Sequence, residues 1–344
     1  MAMLLCGCAK SAFPPGGPVD TTAPSIMLTV PADSSLRVPA DQGIEILFSE
    51  PMDHNSVRDG IRVYPPPGAQ MYDWSGRRVR VTWAQPLRPG TTYQAFLSSG
   101  ARDAHGVTLG RSLTIRFSTG DSLDHGVITG VLRAKTLPTR GVPILAYPES
   151  LGLVPDFANV DPAYATETDT SAVYALVGLP MGEGFTIHAL YDVNRSGSFD
   201  TGLDLVASFP DVIRLTPERA VADSINLVAV DPRAPALVSG TIFSPDSTLR
   251  FRVEARADSD TTTVRSVART GPGDYLLRLA PGRYRLRAIR LSVETNAPPT
   301  AEIRREDVLE ARAEGEYEHL DFRFERAGTP ATPPLPKPSP EPEE

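Results

Sequence analysis

Between Asp192 and Asp204 the chain carries a run of oxygen-bearing side chains, Asp192-Val193-Asn194-Arg195-Ser196-Gly197-Ser198-Phe199-Asp200. Oxygens at the first, third, fifth and ninth places, with glycine at the sixth, follow the opening of a calcium loop. In such a loop alternate residues turn inward to a hard cation and the glycine allows the sharp bend. The Ser198 carbonyl would add a further oxygen. The twelfth place, where a bidentate Glu completes the loop, holds Leu203, and Asp204 follows one residue late. The expected ligands are Asp192, Asn194, Ser196, Asp200 and Asp204, holding a structural Ca2+ that stiffens a hairpin loop. Without a cation the same residues suit a long Asx-rich turn. No other cofactor is expected.

Other chemistry-bearing residues are sparse. The five histidines, His54, His105, His125, His188 and His319, form no His-Glu-x-x-His or other close ligand pair. There is no Gly-x-Ser-x-Gly elbow, no phosphate-cradling glycine loop, and no cysteine beyond Cys6 and Cys8. The expectation is a protein that is not an enzyme. His188 is expected on the outer face of its strand, because Phe185, Ile187 and Ala189 claim the inner one. Arg283, Arg285 and Arg287 alternate with Tyr284, Leu286 and Ala288, which sets three guanidinium groups on one strand face. That face reads either as an anion- or polysaccharide-binding surface or as a solvated face balanced by nearby acids, with charges that resist stray strand pairing.

These residues need elements to position them, and the composition says which. In 344 residues, 41% are hydrophobic and 22% charged, enough to build packed cores. Gly at 27 and Pro at 34, the latter about twice its usual share, favour short strands with turns over long helices. The length suits about three β-domains of roughly 100 residues. A formal charge of -8 argues against a nucleic-acid partner. No stretch has the roughly 20 apolar residues of a membrane span. Ile44, Ile46 and Phe48 alternate, as do Val79, Val81 and Trp83, and Ile115 and Phe117. Period two with one apolar face marks half-buried antiparallel strands.

At the N-terminus, Leu5-Cys6-Gly7-Cys8 resembles a bacterial lipobox, which implies that Cys8 receives lipid. Only a fragment of a signal peptide precedes it, so the true start is expected upstream. Ser11 to Asp20, SAFPPGGPVD, reads as an extended tether and resembles the post-cysteine segment of a family of bacterial envelope lipoproteins. Residues 1–20 are thus assigned to signal, lipobox and tether.

Over residues 21–120, Thr22-Ala23-Pro24, Pro31-Ala32-Asp33, Phe48-Ser49-Glu50-Pro51-Met52-Asp53, Pro89-Gly90-Thr91-Thr92-Tyr93, Asp103-Ala104-His105-Gly106 and Ile115-Arg116-Phe117-Ser118-Thr119 follow in order. This series resembles the SbsA-type bacterial Ig-like domain. In that family Ser49–Asp53 is a strand-end turn in which Pro51 stops the ladder and Met52 plugs the core edge.

Two further units share a pattern. Gly126–Val131 and Ala236–Ile242 each open one. Each then reaches an aromatic-x-Leu strand, a Pro/Gly turn and a returning strand: Tyr174-x-Leu176 to Phe185-x-Ile187-x-Ala189, and Tyr275-x-Leu277 to Tyr284-x-Leu286-x-Ala288. The pattern reads as a duplicated β-hairpin. Residues 125–231 and, more divergently, 234–327 resemble the carboxypeptidase-regulatory-like (transthyretin-like, prealbumin-like) domain, an accessory sandwich of exported proteins without catalytic activity. Residues 328–344, with Pro at nearly every second place, are expected to be a disordered extended tail.

The expected fold class is therefore all-β: tandem Ig-like and prealbumin-like β-sandwiches with a disordered Pro-rich tail. The expected function is that of a non-catalytic lipoprotein of the bacterial cell envelope, expected at the outer membrane, with envelope proteins or glycans as partners and lipid as the sole membrane contact. The alternative is a calcium- or glycan-binding surface module.

Overall fold

A computed structural model of the chain describes residues 20–325, apart from 195, 197, 260, 261, 263 and 293–298. The described residues fall into two compact units. One holds the residues up to 134 together with 138–229, and the other holds 135–137 with those from 230 on.

The first unit begins with a sandwich built from β1 (Ile26–Val30), β2 (Ile44–Phe48), α1 (His54–Gly60), β3 (Ile61–Tyr64), β4 (Gln70–Ser75), β5 (Arg78–Trp83), β6 (Thr92–Leu97) and β7 (Leu113–Ser118). One antiparallel sheet runs β1-β2-β5-β4 and the other β3-β6-β7. The alternating apolar residues do what period two requires. Ile44 lies opposite Val81 and Ile46 opposite Val79, and all four join Phe48, Trp83, Ile115 and Phe117 in a single core. Burying each such side chain contributes about 1.5–3 kcal/mol. Met52 is buried at the core edge. Asp53 caps α1, accepting the Ser56 amide at 2.7 Å.

The rest of the first unit holds β8 (Gly126–Ala134), β9 (Pro143–Pro148), β10 (Tyr164–Glu167), β11 (Val173–Leu179), β12 (Gly184–Tyr191), β13 (Leu205–Ser208), β14 (Ile213–Arg214), β15 (Val221–Ala222) and β16 (Leu227–Ala229). One sheet runs β10-β9-β12-β13, with β14 also on β12. The other runs β11-β8-β15, with β16 also on β8.

The second unit holds β17 (Ala236–Phe243), β18 (Arg250–Ala257), β19 (Val264–Thr270), β20 (Gly273–Leu279), β21 (Gly282–Leu291), β22 (Ala301–Ala311), β23 (Glu316–Tyr317) and β24 (Phe322–Arg323). Its sheets run β20-β17-β23, with β24 also on β17, and β19-β18-β21-β22.

The expected hairpins are not hairpins. β11 pairs with β8 while β12 pairs with β9, β13 and β14. Likewise β20 pairs with β17 while β21 pairs with β18 and β22. The Pro/Gly turn carries the chain from one layer to the other. Tyr174, Leu176, Phe185 and Ile187 are all buried, the first two in one sheet and the last two in the other.

The repetition reaches atomic detail. In each copy a long strand, β8 or β17, pairs antiparallel with one strand and parallel with two short ones. Gly130 lies opposite Tyr174 and Gly240 opposite Tyr275. Tyr174 donates its hydroxyl to the Ile225 carbonyl, and Tyr275 donates to that of Leu320 at 2.5 Å. The next residue accepts a strand amide in both copies: Asn226 from Val131 at 2.9 Å and Asp321 from Thr241 at 2.8 Å.

Within the first unit, β6 is buried along its whole length. Tyr93, Ala95 and Leu97 fill their own core, while Thr92, Gln94 and Phe96 turn the other way. Gln94 Nε2 donates to the Ala165 carbonyl at 3.0 Å, and Thr92 Oγ1 accepts the Asp124 amide at 2.8 Å. The Ser99 amide and hydroxyl both reach Glu167 Oε2, at 3.1 and 2.7 Å. The sheet carrying β6 is thus covered by the residues of the second sandwich.

Candidate functional site

The loop 192–204 connects β12 to β13, which pair from Tyr191–Leu205 onward. Asp204 is buried and uses both carboxylate oxygens on backbone: Oδ1 accepts the Val193 amide at 2.8 Å and Oδ2 the Asp200 amide at 2.7 Å. Asp200 Oδ2 accepts from Asn194 Nδ2 at 2.8 Å and from Ser196 Oγ at 2.9 Å. These two hydrogen bonds hold the Asp200 carboxyl below its ordinary range. The Ser196 amide donates to Asp192 Oδ1 at 3.0 Å. All five residues singled out by spacing therefore meet in one network. Their oxygens serve the loop's own N–H and O–H donors, as an Asx-rich turn requires. Arg195 and Gly197 lie outside the described residues.

Asp192, Ser198 and Phe199 also border a cleft of about 420 Å³, whose aromatic wall includes Tyr64, Phe96, Tyr147 and Phe157. The strand face beneath it carries His188, on the side away from Ile187 and Ala189 as its spacing suggests, but that side is covered. His188 is fully buried. Phe157 and Tyr147 cover it edge-on, with ring centroids 5.0 and 5.8 Å away. Its Nδ1 lies 2.8 Å from Ser208 Oγ and its Nε2 2.9 Å from Thr186 Oγ1. Burial pushes its pKa down to about 4. A neutral imidazole satisfied by two hydroxyls ties β12 to β13, and its basicity is too low for a general base near neutrality.

The arginine face on β21 is heavily paired. Arg285 meets Asp258 at 3.0 Å, and Arg287 meets the buried Glu254 at 2.6 Å and Glu302 at 3.0 Å. Arg304 joins Glu302 at 2.6 Å, and Arg305 joins Asp307 at 3.0 Å. Even so, Arg256, Arg285, Arg287, Arg304 and Arg305 together line a hollow of about 240 Å³. The hollow draws on β18, β21 and β22. Pairing across the sheet collected guanidinium groups that spacing within one strand could not reveal.

Cys8 and the tail 328–344 lie outside the described residues. Among those described, no helix is long and apolar enough to cross a membrane.

No curated protein matches the chain. Among solved structures, similarity extends to a putative cell adhesion protein from Bacteroides ovatus, with 9% identity, TM-score 0.30, 59% of this chain and 93% of that one. It extends also to the N-terminal part of the bacterial S-layer protein SbsC, with 12% identity, TM-score 0.23 and coverage of 55% and 45%. An L,D-transpeptidase from Mycobacterium smegmatis gives 10% identity, TM-score 0.22 and coverage of 60% and 90%. Likeness at this level carries no inference about what this chain does. Residues 20–119, which span the whole first sandwich, match the family model of the bacterial Ig-like domain.

Proposed function

We propose that this protein is a non-catalytic lipoprotein of the bacterial cell envelope, anchored through lipid on Cys8, whose β-sandwiches serve as a structural or protein-interaction module. The observation that carries this reading is the bacterial Ig-like domain at residues 20–119, followed in the same chain by further two-layer β-units. Such sandwiches spend their apolar side chains on the interior and leave loops as docking surface. The lipobox-like Leu5-Cys6-Gly7-Cys8 and the Pro/Gly-rich run after it support an anchor and a spacer. The carboxypeptidase-regulatory-like pattern of 125–231 and 234–327 supports the same reading, as an accessory module of exported proteins. The outer membrane is the proposed location, with envelope proteins or glycans as partners.

The test is metabolic labelling with a palmitate analogue in a bacterial host carrying the gene at its native locus. Label in the wild type and its loss in Cys8→Ala support the anchor, whereas label persisting in Cys8→Ala sinks it. Cross-linking in intact envelopes then asks whether the sandwiches have a protein neighbour.

A second reading is a calcium- or glycan-binding surface, and the hollow lined by five arginines favours its glycan form. Guanidinium forks suit carboxylates and sulfates of acidic polysaccharides. Retention on an acidic-glycan column that Arg256→Ala and Arg304→Ala abolish would support it, and equal retention of the variants would exclude that hollow. Calcium in the 192–204 loop is tested by thermal melting. A rise in Tm at millimolar calcium that Asp200→Asn removes supports it, and no shift removes the idea.

A further inference from the structure

The segment leading into β1, the turn after β2 and the turn after β6 converge at one end of the first sandwich. Backbone hydrogen bonds hold them side by side. The Ser49 amide donates to the Ser25 carbonyl at 2.8 Å, that of Ala104 to Pro51 at 3.0 Å, and that of Asp53 to Arg102 at 2.9 Å. Gly106, in the left-handed region at φ 90°, closes the second turn. The convergence gathers Asp20, Glu50, Asp103 and His105. One ligand atom of each, three carboxylate oxygens and an imidazole nitrogen, lies within 4.8 Å of all the others. Two donors on opposite sides of a cation at about 2.0–2.5 Å are separated by about 4–5 Å, so the four fit inside one coordination shell.

Acidic residues crowd together on many surfaces without binding anything. Asp103 separates this cluster from those. It is only 1% exposed, and its two oxygens differ. Oδ1 accepts the amides of His105 and Val107, both at 2.8 Å. Oδ2 is buried with no hydrogen-bond partner. A buried carboxylate oxygen left unsatisfied is costly, and a metal ion is among the few partners that can satisfy it. The remaining members are set for the same task. Asp20 spends Oδ1 on the Thr22 amide at 2.9 Å, and its Oδ2 lies 3.5 Å from His105 Nδ1. Glu50 is half-buried beside them. Three carboxylates facing one imidazole repel one another, and a divalent charge would turn that repulsion into attraction.

We propose that Asp20, Glu50, Asp103 and His105 form a divalent-cation site that staples the segment before β1 to the Asp103–Gly106 turn. The imidazole in the donor set favours Zn2+ over Ca2+, and the three carboxylates also suit Mn2+. The site stands apart from the 192–204 loop and does not depend on the envelope assignment.

The test uses the full chain, stripped with a chelator and titrated calorimetrically with zinc, manganese and calcium chlorides in turn. The expected result is one Zn2+ or Mn2+ bound per chain, with affinity falling roughly tenfold or more in Glu50→Gln and in His105→Ala. Glu218→Gln, at an exposed position with no part in either candidate site, should leave that binding unchanged. Binding should also raise Tm and slow amide exchange at Thr22 and His105 in the wild type but in neither variant. His105 is exposed and Glu50→Gln is isosteric, so circular dichroism of both variants should match the wild type. The proposal is overturned if the folded wild type binds none of the three ions. It is overturned equally if both variants bind as tightly as the wild type, or if only calcium binds and His105→Ala leaves that binding unchanged.

Discussion

Gly130 and Gly240 occupy equivalent places opposite a tyrosine, and each admits a backbone segment that any side chain would exclude. A Cβ at Gly130 would overlap the Ile225 carbonyl oxygen, and one at Gly240 would come within 2.5 Å of that of Leu320. Neither obstacle is a flexible side chain. Gly130→Ala and Gly240→Ala should each cost about 1–3 kcal/mol or more, as overpacking does, read as a lower urea midpoint. Tyr174→Phe removes the donor to the Ile225 carbonyl, and the buried acceptor left behind should cost about 1–2 kcal/mol in the same assay. A mutant stability equal to the wild type would show that the segment moves freely. His188 provides a pH signature. Its folded pKa of about 4 lies below the ordinary 6.5 because burial disfavours the cation. Between those values the unfolded chain holds a proton that the folded chain refuses. Stability is therefore full above pH 6.5 and declines as pH falls toward 4, by on the order of 3 kcal/mol for this residue. Urea midpoints measured from pH 7 to 4 should fall less steeply in His188→Gln than in the wild type.

Elements in this chain are set by their ends as much as by their faces. α1 has seven residues and lies between a strand-end turn and β3. So short a helix depends on its cap and on tertiary packing, since isolated helices of that length do not form. Asp53 supplies the cap and Val57 the buried contact. Asp53→Ala should cost about 1 kcal/mol, visible as a lower Tm, while Asp53→Asn or Asp53→Ser should restore most of it. The turns at Pro180–Gly182 and at Pro281–Gly282 show the same dependence. Gly182 adopts φ 85° and donates its amide to the Leu215 carbonyl at 2.8 Å, which fastens the crossing between layers. A Pro/Gly turn between two alternating strands fits a hairpin and a layer crossing equally well. Which one forms depends on the partners each strand finds elsewhere, β8 for β11 and β9 for β12.

The described chain divides into two compact units, and the first contains two sandwiches joined through β6, β10 and the Ser99–Glu167 contact. Calorimetry of the whole chain should accordingly resolve two cooperative transitions, one for the unit ending at residue 229 and one for the unit beginning at 230. Gln94→Ala removes the hydrogen bond to the Ala165 carbonyl and leaves a small cavity. It should lower the transition of the first unit alone by a few degrees. Three transitions in the wild type, or an unshifted first transition in Gln94→Ala, would mean that the first two sandwiches unfold independently.

Alternation alone was enough to place the first sandwich's core, because side chains on a strand point to opposite faces and Ile44, Ile46, Phe48, Val79, Val81 and Phe117 have nowhere but the interior to go. Spacing alone also brought Asp192, Asn194, Ser196, Asp200 and Asp204 into one loop, since all five lie within a single connection. What the tertiary structure decided are the matters that depend on distant partners. It buried His188 and the polar face of β6, because a second layer covers them. It split the repeated strand–turn–strand between two sheets. It assembled the arginine hollow from three strands. It brought Asp20, Glu50 and the Asp103–His105 turn to one point across more than eighty residues of chain, a separation over which no local pattern carries information.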